Sequence, residues 1–132
     1  MPSILLIEDY EPFRQALASA LTGRGYTVAQ AEDGERGVKL FRAEPTDLVI
    51  TEIVMPNKDG IAVVAELRGE FPRLGIIAMT GGSAAHNPTL YLKIAGAFGA
   101  NRTFEKPFAF PTLVQAIEEV LANGGRDKPQ GA

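Results

Sequence analysis

The sequence predicts an α/β fold in which one five-stranded parallel sheet is covered by helices. Two observations carry that prediction. Short apolar runs alternate with amphipathic stretches along the whole chain, and nearly every polar residue of chemical interest falls just after such a run. Five strand–helix units in series require a parallel sheet joined by right-handed crossovers.

The elements follow in order. Ile4 to Ile7 is a continuous apolar run, as expected of a strand buried on both faces. Glu11 to Leu21 carries Phe13, Leu17 and Leu21 at helical spacing, with Pro12 in the first turn and Gly23 and Gly25 marking its end. Tyr26 to Ala31 is a weaker strand. Glu35 to Arg42 is a helix with Val38 and Phe41 inward, closed by Pro45. Leu48 to Ile50 is again a buried strand, and Ile61 to Phe71 a helix ended by Pro72. Ile76 to Met79 forms the fourth strand, and Pro88 to about Phe98 the fourth helix, in which Gly96 costs about 1 kcal/mol relative to alanine. Thr103-Phe104 is a brief fifth strand, and Pro111 to Leu121 a last helix with Leu113, Ile117 and Val120 or Leu121 inward. One domain is expected over residues 1–122. Residues 123–132 have no apolar periodicity and are expected to be a flexible tail.

Composition narrows the function. The 132 residues suit one domain. There is no cysteine, so no disulfide, thiolate metal site or thiol nucleophile exists. A net charge of −3 provides no basic stripe for nucleic acid, and no apolar run is long enough to span a membrane. The opening Met-Pro-Ser lacks the basic region and cleavage site of a signal peptide. A cytoplasmic protein with neither nucleic acid nor membrane as partner is expected.

In open parallel sheets, ligands bind outside the carboxyl ends of the strands, where strand order reverses. Glu8 and Asp9 follow the first strand, Glu52 ends the third, Thr80 the fourth and Lys106 the fifth. Each acid taken alone fits a solvated rim; the set does not. Two unit charges about 4 Å apart repel by about 4 kcal/mol at an effective dielectric of 20. Lys106 can neutralise one acid, and a divalent cation would balance the others. Magnesium suits Glu8, Asp9, Glu52 and the backbone carbonyl of Val54.

These residues together resemble the receiver domain of bacterial response regulators, of the single-domain type. The run Ile-Leu-Leu-Ile before Glu8-Asp9 is similar to the family's strand and acidic magnesium pair. Asp47-Leu-Val-Ile-Thr-Glu52, with Met55-Pro56 and Asp59-Gly60 after it, is similar to the phosphoacceptor strand and its turn. Thr80 and Lys106-Pro107-Phe108 match the phosphate-contacting hydroxyl and the lysine motif, whose Lys-Pro peptide is often cis. The resemblance implies a flavodoxin-like doubly wound sheet in the order 2-1-3-4-5 with helices on both faces. It further implies a histidine kinase or histidine phosphotransfer protein as phosphodonor, docked on Phe13, Arg14 and Pro107, and a homodimer through the fourth and fifth helices. It makes the chain a signalling module rather than an enzyme, although ordinary members take part in their own phosphorylation and dephosphorylation.

Three features depart from the family pattern. Glu52 stands where the family has aspartate, and its carboxylate reaches ~1.5 Å further. In-line transfer loses about 100-fold for a misplacement of about 1 Å. A glutamate also brings one charge, against roughly −1.5 to −2 for a phosphate. Glu52 therefore makes the domain non-phosphorylatable, locked by a Glu52–Lys106 pair, or a partial mimic of the active state, with magnesium binding weakened. It is either natural or introduced. Thr103 takes the switch position usually held by an aromatic ring, and as a plain strand residue it needs no further role. Finally, the loop from Gly81 to Asn87 is long, with a glycine pair expected to be mobile. It holds His86, the only histidine, expected to be a solvated side chain.

Two other classes compete. A magnesium-dependent phosphohydrolase also uses a strand-end carboxylate, but it needs a second acid two residues on, where Val54 stands. A flavin-binding module needs a hydroxyl- or glycine-rich phosphate loop after the first strand, where Glu8-Asp9-Tyr10-Glu11 would repel phosphate. No DNA-binding region follows Leu121 in this sequence, so output is expected through another protein, a second copy or a further domain.

Overall fold

The computed structural model describes residues 1–81 and 87–123. The loop around His86 and the tail beyond Asn123, both expected to be mobile, lie outside the described residues. The chain alternates strand and helix throughout: β1 Ser3–Ile7, α1 Glu11–Gly23, β2 Thr27–Ala31, α2 Gly34–Ala43, β3 Leu48–Glu52, α3 Gly60–Glu70, β4 Gly75–Gly81, α4 Pro88–Phe98, β5 Arg102–Lys106 and α5 Phe110–Ala122. All strand pairs are parallel, in the order β2-β1-β3-β4-β5.

The apolar runs are continuous because both faces of the sheet are covered, and successive side chains point to opposite faces. Leu5, Ile7, Val49, Ile76 and Ala78 join Val38, Phe41, Val63, Val64, Leu67 and Ala95 from α2, α3 and α4. Ile4, Leu6, Leu48, Ile50, Ile77 and Met79 join Leu17, Leu21, Leu113, Ile117 and Val120 from α1 and α5 on the other side. Leu17 is thus a core residue, whereas Phe13 is only half-buried against this second cluster.

Capping follows the residues available. Asp33, Asp59 and Asn87 each accept a hydrogen bond from a backbone N–H in the first turn of α2, α3 and α4. The first turns of α1 and α5 carry proline instead of a capping side chain. The fifth strand is longer than the expected Thr103-Phe104, because Glu105 and Lys106 pair with Thr80 and Gly81. As an edge strand it has a neighbour on one side only among the described residues, so charged residues are tolerated there and the apolar pattern understates its length.

Candidate functional site

Strand order reverses beside β1, so the carboxyl ends of β1 and β3 are neighbours at the crevice. Glu8 follows β1 and is 1% exposed. Its amide donates to the Ala31 carbonyl, and its Oε2 accepts from the Tyr10 amide at 3.0 Å. Asp9, next in sequence, is exposed and has no hydrogen bond or ion pair among the described residues.

Glu52 ends β3 and is 4% exposed. Its side chain curls back over the strand end, where Oε2 accepts from the Ile53 amide at 3.0 Å and the Val54 amide at 3.1 Å. The turn that follows is closed by Gly60, whose amide donates to the Ile53 carbonyl at 2.7 Å. A Cβ on Gly60 would meet the Glu52 carbonyl oxygen at 2.1 Å and the Ile53 Cα at 2.6 Å. Glycine is therefore required for α3 to start against the end of β3.

Lys106, at the end of β5, reaches across β4. Its Nζ lies 2.6 Å from Glu8 Oε1 and 2.6 Å from Glu52 Oε1, and 4.2 Å from the centroid of the Phe13 ring. Phe13 meets Phe108 edge to face, and Phe108 also packs on Phe104, so the lysine lies beside an aromatic cluster. The Lys106–Pro107 peptide is cis. Burial disfavours the charge on Lys106, but its hydrogen bonds and charge contacts with Glu52 and Glu8 outweigh that and hold its pKa above the ordinary value. Burial likewise raises Glu8, only partly offset by Lys106 and the Tyr10 amide.

Thr80 is 1% exposed, and its hydroxyl has no hydrogen-bond partner among the described residues. Thr103 is half-buried, paired in register with Ala78. With Leu92, Gly96 and Ala97 of α4 it lines a shallow groove. Of the expected docking residues, Pro107 is exposed and Phe13 and Arg14 are half-buried. Arg14 donates to the Glu8 carbonyl at 3.0 Å and to the Gln30 side chain at 3.1 Å.

The structure thus brings Glu8, Glu52 and Lys106 together, with Phe13 and Arg14 of α1 reaching the same corner. Asp9 stays outside the contacts, and Val54 presents its amide N–H to Glu52. Among the described residues no group of three His, Cys, Asp or Glu side chains is placed to hold a metal ion. The expected magnesium set is not assembled in this arrangement: Lys106 lies between the carboxylates of Glu8 and Glu52, whose Oε2 atoms also accept from backbone amides, and Asp9 stays outside. Sequence reasoning missed the tie from Phe13 to Lys106. Its only signal was an aromatic residue one turn into the helix that follows the acidic pair.

A family model described as response regulator receiver domain matches residues 4–118. Transcriptional regulatory protein AfsQ1 of Streptomyces coelicolor is 36% identical over all of this chain and 56% of that protein. Response regulator receiver protein CpdR of Brucella abortus is 35% identical over 92% of this chain and 98% of that protein. The chain spans about half the length of the first of these and nearly the whole of the second. Among solved structures, a receiver domain protein of Clostridium thermocellum superposes with a TM-score of 0.85 at 26% identity, covering 93% of this chain and 96% of that one. The response regulator TrrA of Thermotoga maritima, solved in complex with Mg(2+)-BeF, superposes with a TM-score of 0.78 at 30% identity, covering 92% of this chain and all of that one.

Proposed function

Since the chain belongs to the response regulator receiver domain family of two-component signalling, we propose that it is a receiver module which does not accept a phosphoryl group and signals through protein contacts alone. One observation carries the reading. Glu52, at the phosphoacceptor position, already occupies the positive and N–H donors converging on the end of β3: Lys106 with one oxygen, the Ile53 and Val54 amides with the other. A carboxylate held this way is not free to attack phosphorus, and the lysine that would offset charge on a transferring group is engaged.

Glu52 also supplies part of what a phosphate would. It brings one negative charge to Lys106, but Thr80, the proposed phosphate-contacting hydroxyl, has no partner among the described residues. Mimicry of the active state is therefore partial. In this reading a histidine kinase or histidine phosphotransfer protein docks on Phe13, Arg14 and Pro107, and a second copy packs through α4 and α5. Thr103 leaves the groove beside α4 open where a larger side chain would close it. The relatives named transcriptional regulators lend no support to the expectation that nucleic acid is never a partner of the whole protein. No helix among the described residues is long and apolar enough to cross a membrane.

The test is phosphoryl incorporation from a small-molecule donor with magnesium, followed by intact mass, on this chain and on Glu52→Asp. Gain by Glu52→Asp alone is expected. Gain by the unaltered chain would overturn the reading. Turnover of small phosphoesters by the unaltered chain would favour the phosphohydrolase alternative instead.

A further inference from the structure

We propose that the Lys106 ammonium is the resident counter-cation of the strand-end carboxylates, so that this site takes no magnesium ion while Lys106 is in place. The inference rests on the receiver reading above and adds how its site is kept neutral.

The oxygens of both buried carboxylates already have partners. Glu8 gives Oε1 to Lys106 and Oε2 to the Tyr10 amide. Glu52 gives Oε1 to Lys106 and Oε2 to the amides of Ile53 and Val54. All four oxygens of the two buried carboxylates therefore have donors, whereas the exposed Asp9 has no partner among the described residues. Magnesium demands near-octahedral oxygen ligands at about 2.0–2.1 Å. To bind both glutamates it would compete with the ammonium for Glu8 Oε1 and Glu52 Oε1, and it would reach Glu52 Oε2 only by drawing it from two backbone N–H groups. That would leave buried donors unpaired, a cost the folded chain now avoids.

Nor is the ammonium free to withdraw. The Lys106 side chain is 20% exposed, with the Phe13 ring against its charged end. A displaced lysine would stay close to the entering ion, two positive charges in a poorly solvated corner.

The test is calorimetric titration of the intact chain with Mg2+ and, separately, Mn2+, at constant ionic strength. It compares the unaltered chain with Lys106→Met, which keeps the length of the stem and removes the charge. No saturable uptake is expected in the unaltered chain at millimolar Mg2+. Saturable uptake is expected in Lys106→Met, where Glu8 and Glu52 lose their counter-charge, together with a Tm that rises with Mg2+. If that variant does not fold, Lys106→Gln, which removes the charge and keeps a polar end on the side chain, takes its place. Saturable Mg2+ binding by the unaltered chain overturns the proposal, as does an equal absence of binding in a folded variant lacking the lysine charge. The outcome is separable from the functional reading: a chain that binds Mg2+ but gains no phosphoryl group sinks this inference and leaves that reading standing.

Discussion

Phe13, on the first turns of α1, lies under the ammonium of Lys106, 4.2 Å from ring centroid to Nζ. The helix proposed to meet a partner is thereby tied to the cation that bridges the two buried glutamates. Phe13 also packs on Phe108, immediately after the cis peptide. Phe13→Leu keeps an apolar side chain and loses the ring face. It is expected to lower stability by about 1–2 kcal/mol in urea denaturation, from the cation–π contact and the aromatic pair together. A loss below about 0.3 kcal/mol would show that the ring does not hold Lys106.

Gly60 and Gly96 make an opposed pair. Gly60→Ala forces a Cβ into the Glu52 carbonyl and the Ile53 backbone, displacing the start of α3. A loss of about 2–4 kcal/mol is expected, since neither neighbour is a flexible side-chain end. Gly96, inside α4, has nothing within 4 Å of the position its Cβ would take. Gly96→Ala should stabilise by about 0.5–1 kcal/mol through helix propensity alone. Urea midpoints of both variants check the pair; opposite signs are the expected result.

Arg68 staples the end of α3 to the start of β5. Its guanidinium donates to the carbonyls of Gly99, Phe71 and Pro72 and to the Asn101 side chain, whose oxygen also accepts from the Ile76 amide. Burial lowers its pKa. Arg68→Met would strip donors from four oxygens at once and is expected to cost about 2–3 kcal/mol, read from the urea midpoint.

On the α2–α3 face, Arg42 pairs with Glu66 and Glu70, and Lys58 also pairs with Glu66. The Lys58 hydrogen bond, with Arg42 behind it, holds Glu66 below its ordinary value of 4.5. Arg42 does the same for Glu70. A depressed carboxyl contributes stability above its unfolded pKa and loses it as pH falls through the folded one. Arg42→Gln should therefore melt below the unaltered chain at neutral pH, with a gap that closes below the ordinary carboxylate pKa and shrinks with salt. A gap independent of pH in thermal scans would show that these pairs do not stabilise the fold.

Much of this molecule is legible in its sequence. Ile4–Ile7 and Leu48–Ile50 announced strands buried on both faces, and the polar residues after them marked the crevice. Thr103-Phe104 understated β5, because an edge strand carries Glu105 and Lys106 without an apolar cost. The site was legible as a set of residues but not as a set of contacts. Glu8, Asp9 and Glu52 looked equivalent in the sequence, yet Asp9 is exposed while the other two close on Lys106. That choice depends on side-chain direction at the strand ends, which periodicity does not record. Arg68 was invisible for a related reason: its partners are mostly backbone carbonyls at helix ends, which leave no mark in residue type.

The measurement that bears most directly on the account is a double-mutant cycle of Glu52→Gln and Lys106→Met, with urea unfolding of the unaltered chain, both single variants and the double variant. If Lys106 is held by Glu52, the two losses will be non-additive by about 1–3 kcal/mol, because either substitution alone leaves a buried group without its partner. Additivity within about 0.3 kcal/mol would contradict the bridge, and with it the claim that this site is already neutralised from within.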